Sequence, residues 1–269
     1  MTAAREIAPA KLNLALHVRG TLPDGRHRIE TIYAFCTDGD RLSAEPAEGL
    51  SLEVTGAFSG ELGEPEDNLV LRAARALADA AGVEAGAAIT LDKRLPIAAG
   101  LGGGSADAAA ALRLLTALWG TDPALAEAIA PALGSDVPAC LLSLPARGEG
   151  AGDELTPVDL SALSGRPVLL VNPRAQVSTA EVYGRWDGED QGPLGDWRAG
   201  HNGLEAAAIA CAPQIETVLA WLSLQAGPDA ARMSGSGATC FALFDSEAQR
   251  DATAQAVPRE WWHLATSLR

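Results

Sequence analysis

Aromatic side chains are scarce in this sequence and make up only 4% of its 269 residues, whereas hydrophobic residues as a whole reach 48%. A core must therefore be filled mainly by aliphatic side chains and alanine, and the many alanines favour helices. Charged residues account for 20%, an ordinary balance for a globular protein. The length suits one large domain or two smaller ones.

Cysteine is also rare, and its four copies are spread along the chain at Cys36, Cys140, Cys211 and Cys240. None of them forms a CxxC pair, and the four histidines show no HExxH spacing. The pattern favours reduced, buried thiols over a disulfide framework or a zinc site, and it predicts no structural metal site.

Positive charge is in short supply, with 20 Lys and Arg against 35 Asp and Glu, a net charge of −15 and a pI of about 4.6. Such a field repels nucleic acids and anionic membranes, so neither is an expected partner. The best candidate for a long apolar run, residues 106–118, is interrupted by Asp107 and Arg113. The first residues carry Arg5 and Lys11 rather than the apolar run of a signal peptide, and we predict a soluble cytoplasmic protein.

Apolar periodicity and turn residues predict an alternation of strands and helices. Strands are expected over residues 7–18, 41–45, 50–55, 87–92, 137–144, 166–171, 238–244 and 261–266. Helices are expected from a cap at Asp67 or Asn68 to Ala81, from a glycine loop to Gly120, over 123–133, 178–185, 202–211 and 213–224, and between the last two strands. Residues 145–154 have turn composition and 187–200 indicate a surface loop, and we place two domains at 1–157 and 158–269.

The most informative stretch is PIAAGLGGGSAD, which runs from Pro96 to Asp107 between a predicted strand and an alanine-rich helix. Its glycines let backbone amides approach a phosphate, Ser105 suits an N-cap or a phosphate ligand, and a helix N-terminus adds free N–H groups. The stretch has neither the lysine of a P-loop nor the GxGxxG spacing of a dinucleotide site. The predicted phosphate-binding residues are Pro96, Gly100, Leu101, Gly102, Gly103, Gly104, Ser105 and Ala106.

Three segments, in the right order, resemble motifs of the GHMP kinase superfamily, which includes kinases of galactose, homoserine and mevalonate. Residues 96–107 resemble its phosphate loop, in the form found in the branch that acts on 4-diphosphocytidyl-2-C-methyl-D-erythritol. Residues 9–14, PAKLNL, and 134–138, GSDVP, are similar to two further segments of that branch. The resemblance implies a two-domain α+β fold, with a mixed α/β N-terminal domain that carries the glycine loop and a smaller, ferredoxin-like α+β C-terminal domain.

The resemblance also implies a catalytic pair, Lys11 and Asp136. A carboxylate near an acceptor hydroxyl can orient the hydroxyl and take its proton, so Asp136 is expected to act as the base. A lysine nearby can neutralise developing negative charge, and we assign that role to Lys11. Taken alone, Lys11 could be a strand lysine that reaches solvent, and Asp136 could cap a turn or helix. ATP is the implied donor, with Mg²⁺ bound mainly through phosphates and water.

Residues 24–31 resemble the DGYHxxxT segment of the branch, which implies a cytidine-binding site, but Arg26 stands where the family has tyrosine. His27 is expected to read a base edge and Tyr183 to cover a face of the base. Arg26 could stack its planar guanidinium on the base or lie exposed in a loop, and both remain open. In a second departure, Gly203 stands where the family has aspartate. The residues implied for the acceptor site are Asn13, Arg26, His27, Thr179, Tyr183, Ser236 and Gly237.

The reaction that the resemblance implies is transfer of the γ-phosphoryl group of ATP to the 2-hydroxyl of 4-diphosphocytidyl-2-C-methyl-D-erythritol. This is a step of the non-mevalonate (methylerythritol phosphate) route to isoprenoid precursors, and we expect a monomer or weak homodimer that binds small molecules. One alternative is another kinase of the superfamily acting on mevalonate, homoserine or a sugar, which the missing tyrosine slightly favours. A second alternative is a nucleotide-binding protein without catalysis. The presence of both Lys11 and Asp136 argues against this alternative.

Overall fold

The computed structural model describes residues 4–61, 68–227 and 231–269, and these form two compact units. The first unit comprises the described parts of Met1–Ala10, Asp38–Ile97 and Gly102–Ser143. The second comprises Lys11–Thr37, Ala98–Leu101 and the described parts of Leu144–Arg269. Neither unit is continuous in sequence, because the first two strands and the glycine loop each contribute residues to both.

The described chain contains ten strands and eight α-helices. The strands are β1 Ala4–Thr21, β2 His27–Glu45, β3 Leu50–Thr55, β4 Ala87–Asp92, β5 Ala146–Glu149, β6 Glu154–Pro157, β7 Pro167–Asn172, β8 Ala231–Met233, β9 Cys240–Leu243 and β10 Trp262–Ser267. The helices are α1 Leu69–Ala81, α2 Gly103–Trp119, α3 Pro123–Leu133, α4 Val137–Leu142, α5 Thr179–Gly184, α6 Glu205–Cys211, α7 Gln214–Ala226 and α8 Glu247–Gln255. None of the helices in the described ranges is long and apolar enough to cross a membrane.

The first unit combines a small sheet with helices that pack on one another. β3 lies parallel to β4, and β4 pairs antiparallel with the end of β2, from Arg41 to Glu45. α2 contacts α1, α3 and α4, and its alanines Ala108–Ala111 are fully buried. Asn68 caps α1 by accepting a hydrogen bond from the backbone N–H of Val70, while the alternative cap, Asp67, lies outside the described residues. Small side chains let α2 approach its neighbours closely, as the alanine-rich composition predicts.

The second unit is built on antiparallel sheet. The start of β2 pairs with β5, which pairs with β6, and a four-stranded sheet has the order β10-β7-β9-β8. α7 packs on β8 and β9, and α8 packs on β7 and β10. Their apolar side chains form one cluster that includes Val171, Ile215, Val218 and Phe244. Together the two units confirm the predicted α+β class.

Two predicted elements are wrong, one in residues 137–144 and the other in residues 145–154. Residues 137–144 were expected to be a buried strand but contain α4, because an apolar run this short does not distinguish strand from helix, while Pro138 suits a first helical turn. The turn expected over 145–154 is shorter, since β5 and β6 form a hairpin that leaves only 150–153 between them. The other predicted strands and helices are found, with shifted ends, and 187–200 is irregular as expected.

Candidate active site

The first half of the glycine loop, Ala98–Leu101, is held in the second unit by the loop after β8. Gly100 has φ +74°, and a Cβ there would lie 2.2 Å from the carbonyl oxygen of Ser234. The Ser234 hydroxyl donates to the carbonyl of Gly100 at 2.9 Å, and the Thr239 N–H donates to Ala99 at 3.1 Å. A glycine is therefore required at position 100 both by its backbone conformation and by the close approach of a second loop.

The second half of the glycine loop opens helix α2 in the first unit. Gly102 occupies the N-cap with φ +63° and has no side chain to bond the helix amides. Ser105 was expected as a possible N-cap, but it is the third residue of the helix, because the glycines allow the helix to begin earlier. The first N–H groups of a helix have no partner within it, so those at Gly103, Gly104 and Ser105 carry partial positive charge suited to an anion.

Lys11 is buried in β1, with only 3% of its surface exposed, so the alternative of a lysine that reaches solvent is wrong. Its Nζ donates to Asn13 Oδ1 at 2.8 Å and lies 5.1 Å from the centre of the Tyr33 ring. Asn13 in turn donates from Nδ2 to Thr31 Oγ1 at 2.8 Å. The chain of bonds from Lys11 to Thr31 fixes the direction of the ammonium group.

Asp136 stands immediately before α4, in the N-cap position. Its backbone carbonyl accepts the N–H of Cys140 at 3.0 Å, but its carboxylate makes no capping bond to the described amides of the helix. Asp136 belongs to the first unit and Lys11 to the second. Their joint catalytic role stays a prediction.

Two of the residues expected around the cytosine base lie together in the second unit. The rings of His27 and Tyr183 have centroids 4.6 Å apart and an interplanar angle of 30°. Trp186, which the sequence reading missed, meets His27 edge-on at 5.5 Å. Burial lowers the pKa of His27, which favours the neutral imidazole with one donor and one acceptor nitrogen. Sequence reasoning overlooked Trp186 because it directly precedes residues 187–200, which indicated a surface loop.

The remaining residues implied for the acceptor site come from two segments joined by a side-chain hydrogen bond. Thr179 Oγ1 and Ser236 Oγ are 2.9 Å apart, so α5 and the loop after β8 meet here. Gly237 has φ +79°, and a Cβ there would lie 2.9 Å from the sulfur of Met233. Asn202 Nδ2 donates to the carbonyls of Met233 and Gly235 at 2.9 and 2.8 Å, and it thereby holds the loop from within.

Comparison with known proteins gives the family. The model of the GHMP kinases N terminal domain matches residues 68–143, and that of the GHMP kinases C terminal domain matches 188–264. A protein of Rhizorhabdus wittichii named 4-diphosphocytidyl-2-C-methyl-D-erythritol kinase is 51% identical, over 98% of this chain and 94% of its own. A protein of the same name from Novosphingobium aromaticivorans is 48% identical, over 98% and 93%.

The chain belongs to the 4-diphosphocytidyl-2-C-methyl-D-erythritol kinase family. A crystal structure of 4-(cytidine 5'-diphospho)-2C-methyl-D-erythritol kinase matches it with a TM-score of 0.84 at 33% identity, covering 98% of this chain and 99% of that one. Homoserine kinase from Cytophaga hutchinsonii matches with a TM-score of 0.72 at 18% identity, covering 100% of this chain and 95% of that one, and shares the fold alone. The predicted family and two-domain GHMP kinase fold are thus confirmed.

The first departure from the 4-diphosphocytidyl-2-C-methyl-D-erythritol kinase pattern, Arg26, is held by carboxylates. Its Nε lies 2.7 Å from Asp24 Oδ2, and its Nη1 lies 3.1 Å from Asp153 Oδ2. About half of the side chain is exposed, at 53%. These bonds direct the guanidinium toward its own loop and the β5–β6 turn, which favours the exposed-loop interpretation over stacking.

The second departure, Gly203, is explained by its neighbour Gln191. A Cβ at Gly203 would lie 1.8 Å from Gln191 Oε1. Gln191 is itself fixed, because its Oε1 accepts the N–H of Val18 at 2.8 Å and its Nε2 donates to the carbonyl of Gly203 at 3.1 Å. The amide of Gln191 therefore fills the space in which the family's aspartate would begin, and the two positions must change together.

The sequence contains only two lysines, and the second, Lys93, also lies at the glycine loop. It is 2% exposed in the first unit, where its Nζ lies 2.5 Å from Asp40 Oδ2 and 2.7 Å from Asp107 Oδ2. Burial lowers the pKa of Lys93, but the charges of Asp107 and Asp40 outweigh it and raise that pKa above its ordinary value. Sequence reasoning missed this cluster, because its three members are far apart along the chain.

Proposed function

We propose that this protein transfers the γ-phosphoryl group of ATP to the 2-hydroxyl of 4-diphosphocytidyl-2-C-methyl-D-erythritol, in the methylerythritol phosphate route to isoprenoid precursors. The observation that carries the proposal is the identity of 51% and 48%, over nearly the whole chain, to two proteins that bear this name. The geometry of the glycine loop and the buried Lys11 support it independently, since both suit phosphoryl transfer.

ATP binds through its phosphates at the start of α2. The free N–H groups of Gly103, Gly104 and Ser105 donate to phosphate oxygens, and the helix dipole adds favourable potential in a protein whose net charge is −15. The glycines leave room for the backbone to approach, and Pro96, Gly100, Leu101, Gly102 and Ala106 shape the loop. Mg²⁺ accompanies ATP and is held mainly by its phosphates and by water.

In the proposed chemical step the acceptor hydroxyl loses its proton to the carboxylate of Asp136. The oxygen attacks the γ-phosphorus in line, the bond to the β-phosphate oxygen breaks, and ADP leaves. The ammonium group of Lys11 stabilises the negative charge on the moving phosphoryl group. Asn13 supports this step by holding Lys11 through a 2.8 Å hydrogen bond.

The acceptor is recognised by the aromatic cluster and the loop after β8. His27 reads an edge of the cytosine and Tyr183 covers a face, while Thr179, Ser236 and Gly237 line the adjoining loop. We place Arg26 at the rim of this site without a contact of its own to the acceptor, because its guanidinium is bound by Asp24 and Asp153. We further propose a cytoplasmic monomer or weak homodimer, with its domain boundary at 157/158.

The test is ADP release by the purified protein with ATP and Mg²⁺, comparing 4-diphosphocytidyl-2-C-methyl-D-erythritol with mevalonate and homoserine as acceptors. Turnover with the cytidine compound alone, inhibited by CDP, is the expected result. Turnover with mevalonate or homoserine would assign the protein to another acceptor, a possibility that the carboxylate-bound Arg26 specifically raises. Nucleotide binding without turnover on any acceptor would show a binding protein without catalysis.

A further inference from the structure

The cluster of Lys93, Asp40 and Asp107 connects three elements of the first unit. Asp40 lies in β2, Lys93 directly follows β4, and Asp107 lies in the second turn of α2. The carboxylate of Asp40 accepts Lys93 through Oδ2, while its Oδ1 accepts the backbone N–H groups of Arg94 and Leu95 at 2.5 and 2.8 Å. The chain that enters the glycine loop is thus fixed by side-chain and backbone bonds to one buried carboxylate.

The same cluster also fixes the chain that leaves the glycine loop. Lys93 precedes the predicted phosphate-binding residues and Asp107 directly follows them, so the 2.7 Å contact between their side chains joins the two ends of the loop. The ammonium group also lies beneath the first turn of α2, since a Cβ at Gly103 would be 3.1 Å from Lys93 Nζ. The two carboxylates hold the ammonium group of Lys93 in place. Its position therefore sets how closely the first turn of α2 approaches β4.

The charge balance of the cluster shows that Asp107 is not needed to neutralise Lys93. Asp40 alone balances one ammonium group, and Asp107 is a second buried carboxylate whose Oδ1 has no hydrogen-bond partner among the described residues. Burying an additional carboxylate costs stability. Burial of Asp107 is costly for the fold, yet its side chain joins the two ends of the glycine loop. This combination indicates a role in that loop.

We propose that Asp107 is a positioning residue for nucleotide binding: through Lys93 it holds the two ends of the glycine loop together and keeps the first N–H groups of α2 aimed at the phosphates. The inference rests on the proposed function, since it takes the loop to bind ATP. Asp107 is only 3% exposed and is bonded to Lys93, so in this proposal it acts through Lys93: its removal lowers the affinity for ATP and leaves the chemical step intact.

The experiment compares Asp107→Ala and Asp107→Asn with the wild type, measuring kcat, the KM for each substrate and the Kd for ADP by calorimetry. Asp107→Ala leaves Lys93 and Asp40 as a balanced pair, so no buried charge is stranded. We expect it to raise the KM for ATP and the Kd for ADP about tenfold, with kcat and the acceptor KM within about twofold. Asp107→Asn keeps an acceptor for Lys93 and should give a rise of about threefold.

The matched control is Glu6→Gln, which removes the carboxylate that bonds Arg113, elsewhere on α2, at 2.8 Å. It should leave the KM for ATP unchanged. Unchanged or tighter nucleotide binding in the folded Asp107 variants would overturn the inference, and if Asp107→Ala does not fold, Asp107→Asn decides by the same criterion. Failure of the proposed function would look different: the wild type would then bind ADP without turning over the cytidine acceptor, or would not bind ADP at all.

Discussion

The two lysines of the chain are about equally buried, at 3% and 2% exposed, yet they are held by different kinds of partner. In the second unit, Lys11 donates to the amide oxygen of Asn13 and lies over the ring of Tyr33. In the first unit, Lys93 is held between the carboxylates of Asp40 and Asp107. The same side chain, at the same depth, thus makes described contacts of two different kinds.

The difference teaches that burial alone does not tell which lysine serves chemistry. Among the described contacts of Lys11, an amide oxygen and an aromatic face orient the ammonium group, as suits a group that stabilises a moving phosphoryl group. In the cluster of Lys93, Asp40 and Asp107, two carboxylates neutralise the ammonium group and add an excess negative charge. Such a cluster suits a structural role in holding chain segments together. Loss of Lys11 should therefore damage turnover, whereas loss of Lys93 should damage the fold.

The largest expected effect is that of Lys11→Met on turnover. We expect kcat to fall about 1,000-fold, because the charge on the phosphoryl group loses a preorganised cation, while the Kd for ADP stays within about twofold. ADP release and calorimetry measure the two quantities on the same sample. A loss of ADP affinity as large as the loss of kcat would show that Lys11 binds the nucleotide, and the assigned role would be wrong.

The next effect is on stability and comes from Lys93→Met. Removing the ammonium leaves two carboxylates buried together, so we expect the free energy of unfolding to fall by about 3–5 kcal/mol. Urea unfolding followed by circular dichroism measures this. Lys11→Met is the matched control and should lose less, because Asn13 keeps its bond to Thr31. Equal losses in the two methionine variants would remove the distinction between the two lysines.

The glycine loop could be found from the sequence because its chemistry is local. A proline, four glycines and a serine between a strand and an alanine-rich helix predicted both the loop and the helix that follows. The expected N-cap position of Ser105 was wrong, since Ser105 lies three residues after the N-cap Gly102 and the glycines permit an earlier start than a serine cap would. Likewise α4 was taken for a strand, because six residues carry too little periodicity to decide.

The cluster of Lys93, Asp40 and Asp107 could not be found from the sequence because it forms only in the tertiary structure. Asp40, Lys93 and Asp107 look like ordinary surface charges in the sequence, where Asp107 ends the glycine-loop motif and interrupts an alanine-rich run. Their meeting requires β2, β4 and α2 to pack as they do. The role of Gln191 could not be found from the sequence either. Its contact with Gly203 explains why glycine stands where the family has aspartate.

A smaller effect, on the pH dependence of stability, would sharpen the contrast at Lys93. Burial, followed by the charge of Asp40, raises the pKa of Asp107 from 3.8 to about 7, against the opposing charge of Lys93. Between these values the folded protein binds a proton that the unfolded chain releases, so the stability linked to Asp107 is full at low pH and is lost as the pH rises through about 7. Asp107→Asn removes this titration. The free energy of unfolding of the wild type, relative to Asp107→Asn, should fall between about pH 4 and pH 7 and then level off, and a constant difference over that range would contradict the raised pKa.

The smallest effect is expected from substitutions at Arg26. Like Lys93, Arg26 is a cation between two carboxylates, here Asp24 and Asp153, but it lies at the surface. Exposed ion pairs of this kind contribute little to stability, so Arg26→Tyr should unfold at nearly the same urea concentration as the wild type. If a planar ring at this position can stack on cytosine, as the family pattern implies, the KM for the cytidine acceptor should fall about fivefold. Arg26→Leu, which loses the same ion pairs without gaining a flat aromatic ring, should leave that KM unchanged. A rise in KM for both variants would mean that the guanidinium itself contacts the acceptor. The contrast between the buried, structural cation Lys93 and the exposed, replaceable cation Arg26 would then no longer hold.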